Sequence, residues 1–122
     1  ILDADSMLRL QFFTQIKKRL SETGNWRMAL YAAKLSPVVA DSSFLPLYKK
    51  EIRVQNIHLK IAVWQAYGQA FPEACVSDLL QILPATKTDF YFRAELLKLL
   101  ARLKPFPAYR LIMQELDKGD SF

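Results

Sequence analysis

The chain has 122 residues, of which 52% are hydrophobic and 24% are charged, a composition typical of a globular domain rather than a disordered chain. Its net charge is +5, and its single cysteine, Cys75, excludes an internal disulfide. No apolar run approaches the roughly 20 residues that a transmembrane helix needs. We therefore expect one domain over residues 1–122, in a reducing cytoplasm by default. Because the chain begins at Ile1 rather than Met, we expect a fragment of a longer chain, whose anchor or signal can lie elsewhere.

The N-terminal residues predict one long helix. Leu8, Phe12, Ile16 and Leu20 recur every four residues, which places them in a single apolar stripe. Aspartates within residues 3–5 can cap the start of this helix. Its end is predicted at about residue 20, before a break that contains glycine.

Caps and prolines predict the remaining helices. Asn25 and Asn56 are N-cap candidates, Thr88 or Asp89 can cap the sixth helix, and Pro72 suits the first position of a helix. The predicted helices after the first span about 26–35, 43–52, 57–70, 72–83, 89–103 and, after a tight corner at Pro105 and Pro107, a seventh that ends near 116. Only three glycines occur and no stretch alternates as a strand would, so the predicted fold is all-α.

The second half of the sequence repeats itself at an interval of 33 residues. Leu59-Lys60 aligns with Phe92-Arg93, and Pro72 aligns with Pro105. A fainter copy places Trp26-Arg27 in the same register. Helical repeats of this length are typical of an α-solenoid, in which stacked units bury each other's apolar faces.

The residues of this repeat resemble the HEAT-repeat family, most clearly over the last 60 residues. The resemblance rests on Phe92-Arg93, the leucines at 96, 97, 99, 100 and 103, a proline turn, and Ala108, Ile112 and Leu116. It implies a right-handed α-α superhelix, with an N-terminal helix (1–24) and repeats at about 25–55, 56–88 and 89–118. A tetratricopeptide-like pattern around Trp26, Ala29 and Tyr31 is the nearest alternative.

The family resemblance also implies a structural ladder between neighbouring repeats. In such repeats a basic residue of the first helix points inward and meets an Asp or Asn at a helix start. Carried over to this sequence, the bases are Arg27, Lys60 and Arg93, and their partners are Asn56 and Asp89, with Thr23 a poor third. Lys60 stands where the family has arginine, which weakens a bidentate contact.

The sequence does not predict an enzyme, a cofactor or a metal site. The acids are scattered, with no pair inside an apolar stretch, and there is no glycine-rich phosphate loop. His58 is the only histidine and has no Cys, Asp or Glu at ligand spacing. Trp26, Trp64 and Cys75 are expected to pack as structural residues, and Arg93 to pair with Asp89 or with a carboxylate at a helix end.

The resemblance therefore implies a protein–protein interaction scaffold or adaptor without catalysis. The predicted partner contacts are the solvent-facing residues Lys49, Lys50, Gln81, Arg110 and Gln114. The sequence leaves open which set of helices lines the concave surface of the solenoid. The alternative is a solenoid that binds nucleic acid or another polyanion. That alternative would use the basic N-terminal third, namely Lys17, Lys18, Arg19, Arg27 and Lys34. A spacer or self-associating module is a third possibility.

Overall fold

The computed structural model describes residues 3–22 and 24–118, and within them the chain is helical with no strand. The helices are α1 (Ala4–Leu20), α2 (Trp26–Leu35), α3 (Phe44–Glu51), α4 (Ile57–Ala70), α5 (Pro72–Ile82), α6 (Phe90–Leu103) and α7 (Pro105–Asp117). Short 3-10 turns follow α2 (Ser36–Val38) and α5 (Leu83–Thr86). The prediction of an all-α chain with seven helices is confirmed. Thr23, named above as a ladder partner, lies outside the described residues.

Side-chain caps fix where four helices begin. The Asp3 and Asn25 side chains accept the backbone N–H groups of residues 6 and 28, at 2.7 and 3.2 Å. Asn56 and Asp89 accept those of residues 59 and 92, at 3.0 and 3.1 Å. Each bond satisfies one of the N–H groups that a helix start leaves without an intrahelical acceptor.

The 33-residue repeat recurs in the helix boundaries of the second half. Asn56 and Asp89 cap helices of equal length, 14 residues each, and the next helices begin at Pro72 and Pro105. The cap of α2, Asn25, precedes Asn56 by 31 residues, so the faint upstream copy is out of step by two residues at its helix start.

Two local predictions are wrong. Pro105 and Pro107 do not form a corner before α7 but lie in its first turn, where a missing N–H costs no helical bond. The predicted stripe of α1 is buried only in its second half. Ile16 and Leu20 are buried and Phe12 is half-buried, whereas Leu8 is exposed.

The chain divides into two compact units, Ile1–Phe71 (unit 1) and Pro72–Phe122 (unit 2). The division falls inside the predicted repeat 56–88, and the superhelix stays a prediction. In unit 1, α2 packs on α1 and α4, and α3 packs on α4. The core holds Phe44, Tyr48 and Tyr67, with the two tyrosine rings stacked at 5.8 Å. The buried Tyr48 hydroxyl lies 2.5 Å from the Ser36 hydroxyl, which satisfies it away from water.

Unit 2 is organised around α6, which packs on α5, on the turn after α5 and on α7. Its core is mainly aliphatic and includes Leu79, Leu96, Leu100 and Ala108, each at most 1% exposed. Cys75 is also fully buried here, as predicted. Among the described residues of either unit, no helix is both long and apolar enough to cross a membrane.

Candidate interaction surfaces

Arg93 is a buried charged residue whose guanidinium bonds to three other residues. It is 8% exposed, and its Nε donates to Glu115 Oε1 at 2.5 Å, with a second guanidinium nitrogen paired to the same oxygen. The third nitrogen donates to the Leu83 carbonyl and, at 3.2 Å, to the Thr86 hydroxyl. Arg93 therefore joins α6 to the last turns of α7 and to the turn after α5. This confirms that it pairs with a helix-end carboxylate.

The other predicted ladder residues have different surroundings. The side-chain oxygens of Asn56 and Asp89 cap their own helices. Arg27 is exposed, with its guanidinium carbon 4.6 Å from the centre of the Trp26 ring. Lys60 is half-buried. A ladder between repeats stays a prediction.

An apolar stripe lies exposed along α7. Phe106, Tyr109, Met113 and Leu116 are 73%, 59%, 57% and 69% exposed. Steps of three, four and three residues place the four side chains on one face of the helix. The buried Ala108 lies on a different face, which packs towards α6. We call these four residues the α7 stripe.

A groove of about 480 Å³ also opens in unit 2. Its lining includes the apolar Leu80, Leu83 and Leu111 together with the Arg93–Glu115 pair. The exposed Lys87 and Lys118 line it as well, and so does Gln114 of α7. The groove and α7 give unit 2 a surface that combines apolar contact area with cations.

All five predicted partner contacts are exposed. Lys49 and Lys50 lie on α3, Gln81 on α5, and Arg110 and Gln114 on α7. Arg110 and Gln114 directly follow Tyr109 and Met113 in the sequence. Because consecutive residues of a helix are about 100° apart around its axis, both lie beside the α7 stripe. Sequence reasoning missed the stripe itself because it assigned the apolar residues of α7 to repeat packing. A second apolar set at positions 108, 111 and 112 was the available sign that α7 has two apolar faces.

The predicted polyanion-binding residues all lie in unit 1. Lys18, Arg27 and Lys34 are exposed. Lys17 lies over the Phe13 ring at 4.6 Å, and Arg19 pairs with Glu22 at 3.1 Å. Ten of the 17 Lys and Arg residues and five of the twelve acidic residues fall in unit 1, so the whole net charge of +5 lies there.

The two tryptophans and Cys75, which the sequence predicts to be structural, differ in how far they are buried. Trp64 is buried, as predicted, whereas Trp26 is half-buried and stacks on the exposed His58 at 6.0 Å. Burial, with a smaller contribution from the charge of Asp78, raises the pKa of the Cys75 thiol to about 12.

Within residues 3–22 and 24–118, no group of three or more His, Cys, Asp and Glu side chains is placed to hold a metal ion. Comparison of the chain with protein-family models, curated proteins and solved structures finds no significant match to any of them.

Proposed function

We propose that this chain is a non-catalytic protein–protein interaction module, a scaffold or adaptor built from HEAT-like helix pairs. The α7 stripe is the observation that carries this proposal. Four large apolar side chains on one helix face, each more than half exposed, form a contiguous patch of the kind that marks an interaction site. Phe, Tyr and Met are enriched at protein interfaces, and Tyr is one of the residues that most often contribute a large share of the binding energy.

The stripe favours a helical partner. An amphipathic helix presents apolar side chains at intervals of three and four residues, which match the intervals between Phe106, Tyr109, Met113 and Leu116. Arg110 and Gln114 beside the stripe add polar rim contacts, and Arg110 favours an acidic residue in the partner. Each apolar side chain that becomes fully buried contributes up to about 1.5–3 kcal/mol before the costs of association.

The experiment compares protein capture by the wild-type chain with capture by Tyr109→Lys/Met113→Lys. The matched control, Gln65→Lys/Gln69→Lys, adds the same charge at exposed positions of α4. We expect the α7 variant to lose specific partners that the control retains. Equal capture by the two variants would remove α7 from the proposal.

Polyanion binding by unit 1 is the second candidate, favoured by the concentration of the whole net charge there. Exposed lysines and arginines attract phosphates, and the release of counterions makes such binding fall steeply with salt. Because Lys18, Arg27 and Lys34 are exposed whereas Lys17 and Arg19 are half-buried, the first three would contribute most.

Titration of a fluorescent oligonucleotide at about 50 and about 200 mM salt tests this candidate. Micromolar binding that collapses at the higher salt, and that is lost in Lys18→Gln/Arg27→Gln/Lys34→Gln, would support it. No binding at either salt, or binding unchanged in the triple variant, would exclude it.

A further inference from the structure

A pocket in unit 1 is lined by Glu51, whose side chain has no hydrogen-bond or ion-pair partner among the residues that the structure describes. The pocket has a volume of about 490 Å³ and lies between the end of α1, the start of α2, and the segment that joins α3 to α4. Glu51, the last residue of α3, lines it and is 7% exposed. Of the residues that the structure describes, none donates a hydrogen bond to the Glu51 side chain or forms an ion pair with it.

The position of Glu51 is costly for a negative charge. Glu51 is only 7% exposed, so its carboxylate is poorly hydrated and has no counter-ion in the pocket, and the partial negative charge at the C-terminal end of the helix adds to the cost. Burial raises the pKa of Glu51, and the nearby Lys50 only partly opposes this. A bound cation would remove the penalty.

The remaining walls indicate what kind of cation fits. Trp26, Val54 and Leu59 line the pocket and offer apolar surface to an alkyl stem. Glu22 is a second carboxylate in the lining, although Arg19 already neutralises it through two bonds of 3.1 and 3.2 Å. Arg27 occupies a place over the Trp26 ring, so Glu51 rather than the aromatic face would be the main attraction.

We propose that this pocket binds a single organic cation, an alkylammonium or guanidinium group, with Glu51 as its counter-ion. The two sources of such a group are a lysine or arginine side chain of a partner protein and a free amine. A bare divalent metal is not the favoured ligand, because no group of three or more His, Cys, Asp and Glu side chains among the described residues is placed to hold one. The site lies in unit 1 and is independent of the α7 stripe.

The test is an NMR titration of the full chain, followed by the indole N–H of Trp26 and the backbone amide of Glu51. The probes are N-acetyl-lysine methylamide, N-acetyl-arginine methylamide and n-butylammonium, and N-acetyl-norleucine methylamide is the uncharged control. We expect the cations to shift both signals and the norleucine probe to leave them in place. If the amino-acid probes bind more tightly than n-butylammonium, the natural ligand is a side chain of a partner protein. If n-butylammonium binds more tightly, the natural ligand is a free amine.

Glu51→Gln keeps the shape of the side chain and removes its charge, so we expect it to weaken cation binding by about tenfold or more. Glu73→Gln, at an exposed position of α5, is the matched control and should bind as the wild type does. The spectra of the free variants show whether each one folds. Equal binding by Glu51→Gln and the wild type, equal shifts with norleucine, or no shift with any cation would overturn the proposal.

Discussion

The Arg93 bonds provide the sharpest test of how unit 2 is held together. Arg93→Met keeps most of the length of the side chain and its apolar stem but removes the guanidinium. The change breaks the ion pair with Glu115 and leaves the Leu83 carbonyl and the Thr86 hydroxyl without that donor. Buried acceptors that lose a donor cost free energy that water cannot fully restore.

The exposure of the two partners sets the size of the effect. Breaking a fully buried ion pair costs about 3–5 kcal/mol, whereas an exposed pair contributes about 0–1 kcal/mol. The Arg93 side chain is 10% exposed and that of Glu115 is 32% exposed, so water can reach the carboxylate but hardly the guanidinium. We therefore expect Arg93→Met to lower the free energy of unfolding by about 2–3 kcal/mol.

Lys98 supplies the matched control on the same helix. Its ammonium lies 3.1 Å from Glu95, but the lysine side chain is 70% exposed, so Lys98→Met should cost less than about 0.5 kcal/mol. Urea unfolding followed by far-ultraviolet circular dichroism measures both variants. Trp26 and Trp64 both lie in unit 1, so their fluorescence reports separately on that unit. A cost for Arg93→Met within about 0.5 kcal/mol of that for Lys98→Met would refute the reasoning.

Three further predictions concern other residues. Asn56→Ala and Asp89→Ala should each lower the free energy of unfolding by about 1 kcal/mol, measured by urea unfolding, because each removes a cap. Cys75 should not react with Ellman's reagent until the chain unfolds, because burial keeps the thiol protonated, with a pKa of about 12. Burial also raises the pKa of Glu51, so the folded state binds more protons than the unfolded state between the two pKa values. Wild-type stability relative to Glu51→Gln should therefore fall as the pH rises above about 4.5, the ordinary pKa of a glutamate, measured by urea unfolding at each pH.

Each of these predictions has an outcome that contradicts it. Unchanged stability in either alanine variant would show that the cap bond contributes nothing. Labelling of Cys75 at the rate of an exposed thiol, without denaturant, would contradict its burial. A stability difference between the wild type and Glu51→Gln that stays constant with pH would show that the Glu51 carboxyl titrates normally.

Local sequence signals predicted the helices well because the interactions that begin and end them are local. Residue type and position predict Asn56 as one cap and either Thr88 or Asp89 as another, and in the structure Asn56 and Asp89 are the caps. The corner at Pro105 was wrong because proline at a helix start and proline in a turn look alike in sequence. In α1, the period of four residues predicted which face is apolar but not how far along the helix that face is covered.

The contacts that define the candidate sites were harder to predict, because they join residues far apart in the chain. Arg93 was expected to need a carboxylate, yet nothing in the sequence selects Glu115, 22 residues away. Glu51 attracted no notice, since its burial depends on how α1, α2 and α4 surround the end of α3. The α7 stripe was missed for a different reason: the apolar residues of α7 were expected to be buried, and four of them are exposed.

Site-specific photo-crosslinking tests the interaction proposal most directly. A benzophenone side chain is placed at position 109 in the α7 stripe and, as a control, at the exposed position 65 of α4. Our account predicts a discrete covalent adduct with another protein from position 109 that is absent from position 65. The same adducts from both positions, or none from position 109, would contradict it, and adducts between two copies of this chain would indicate self-association instead.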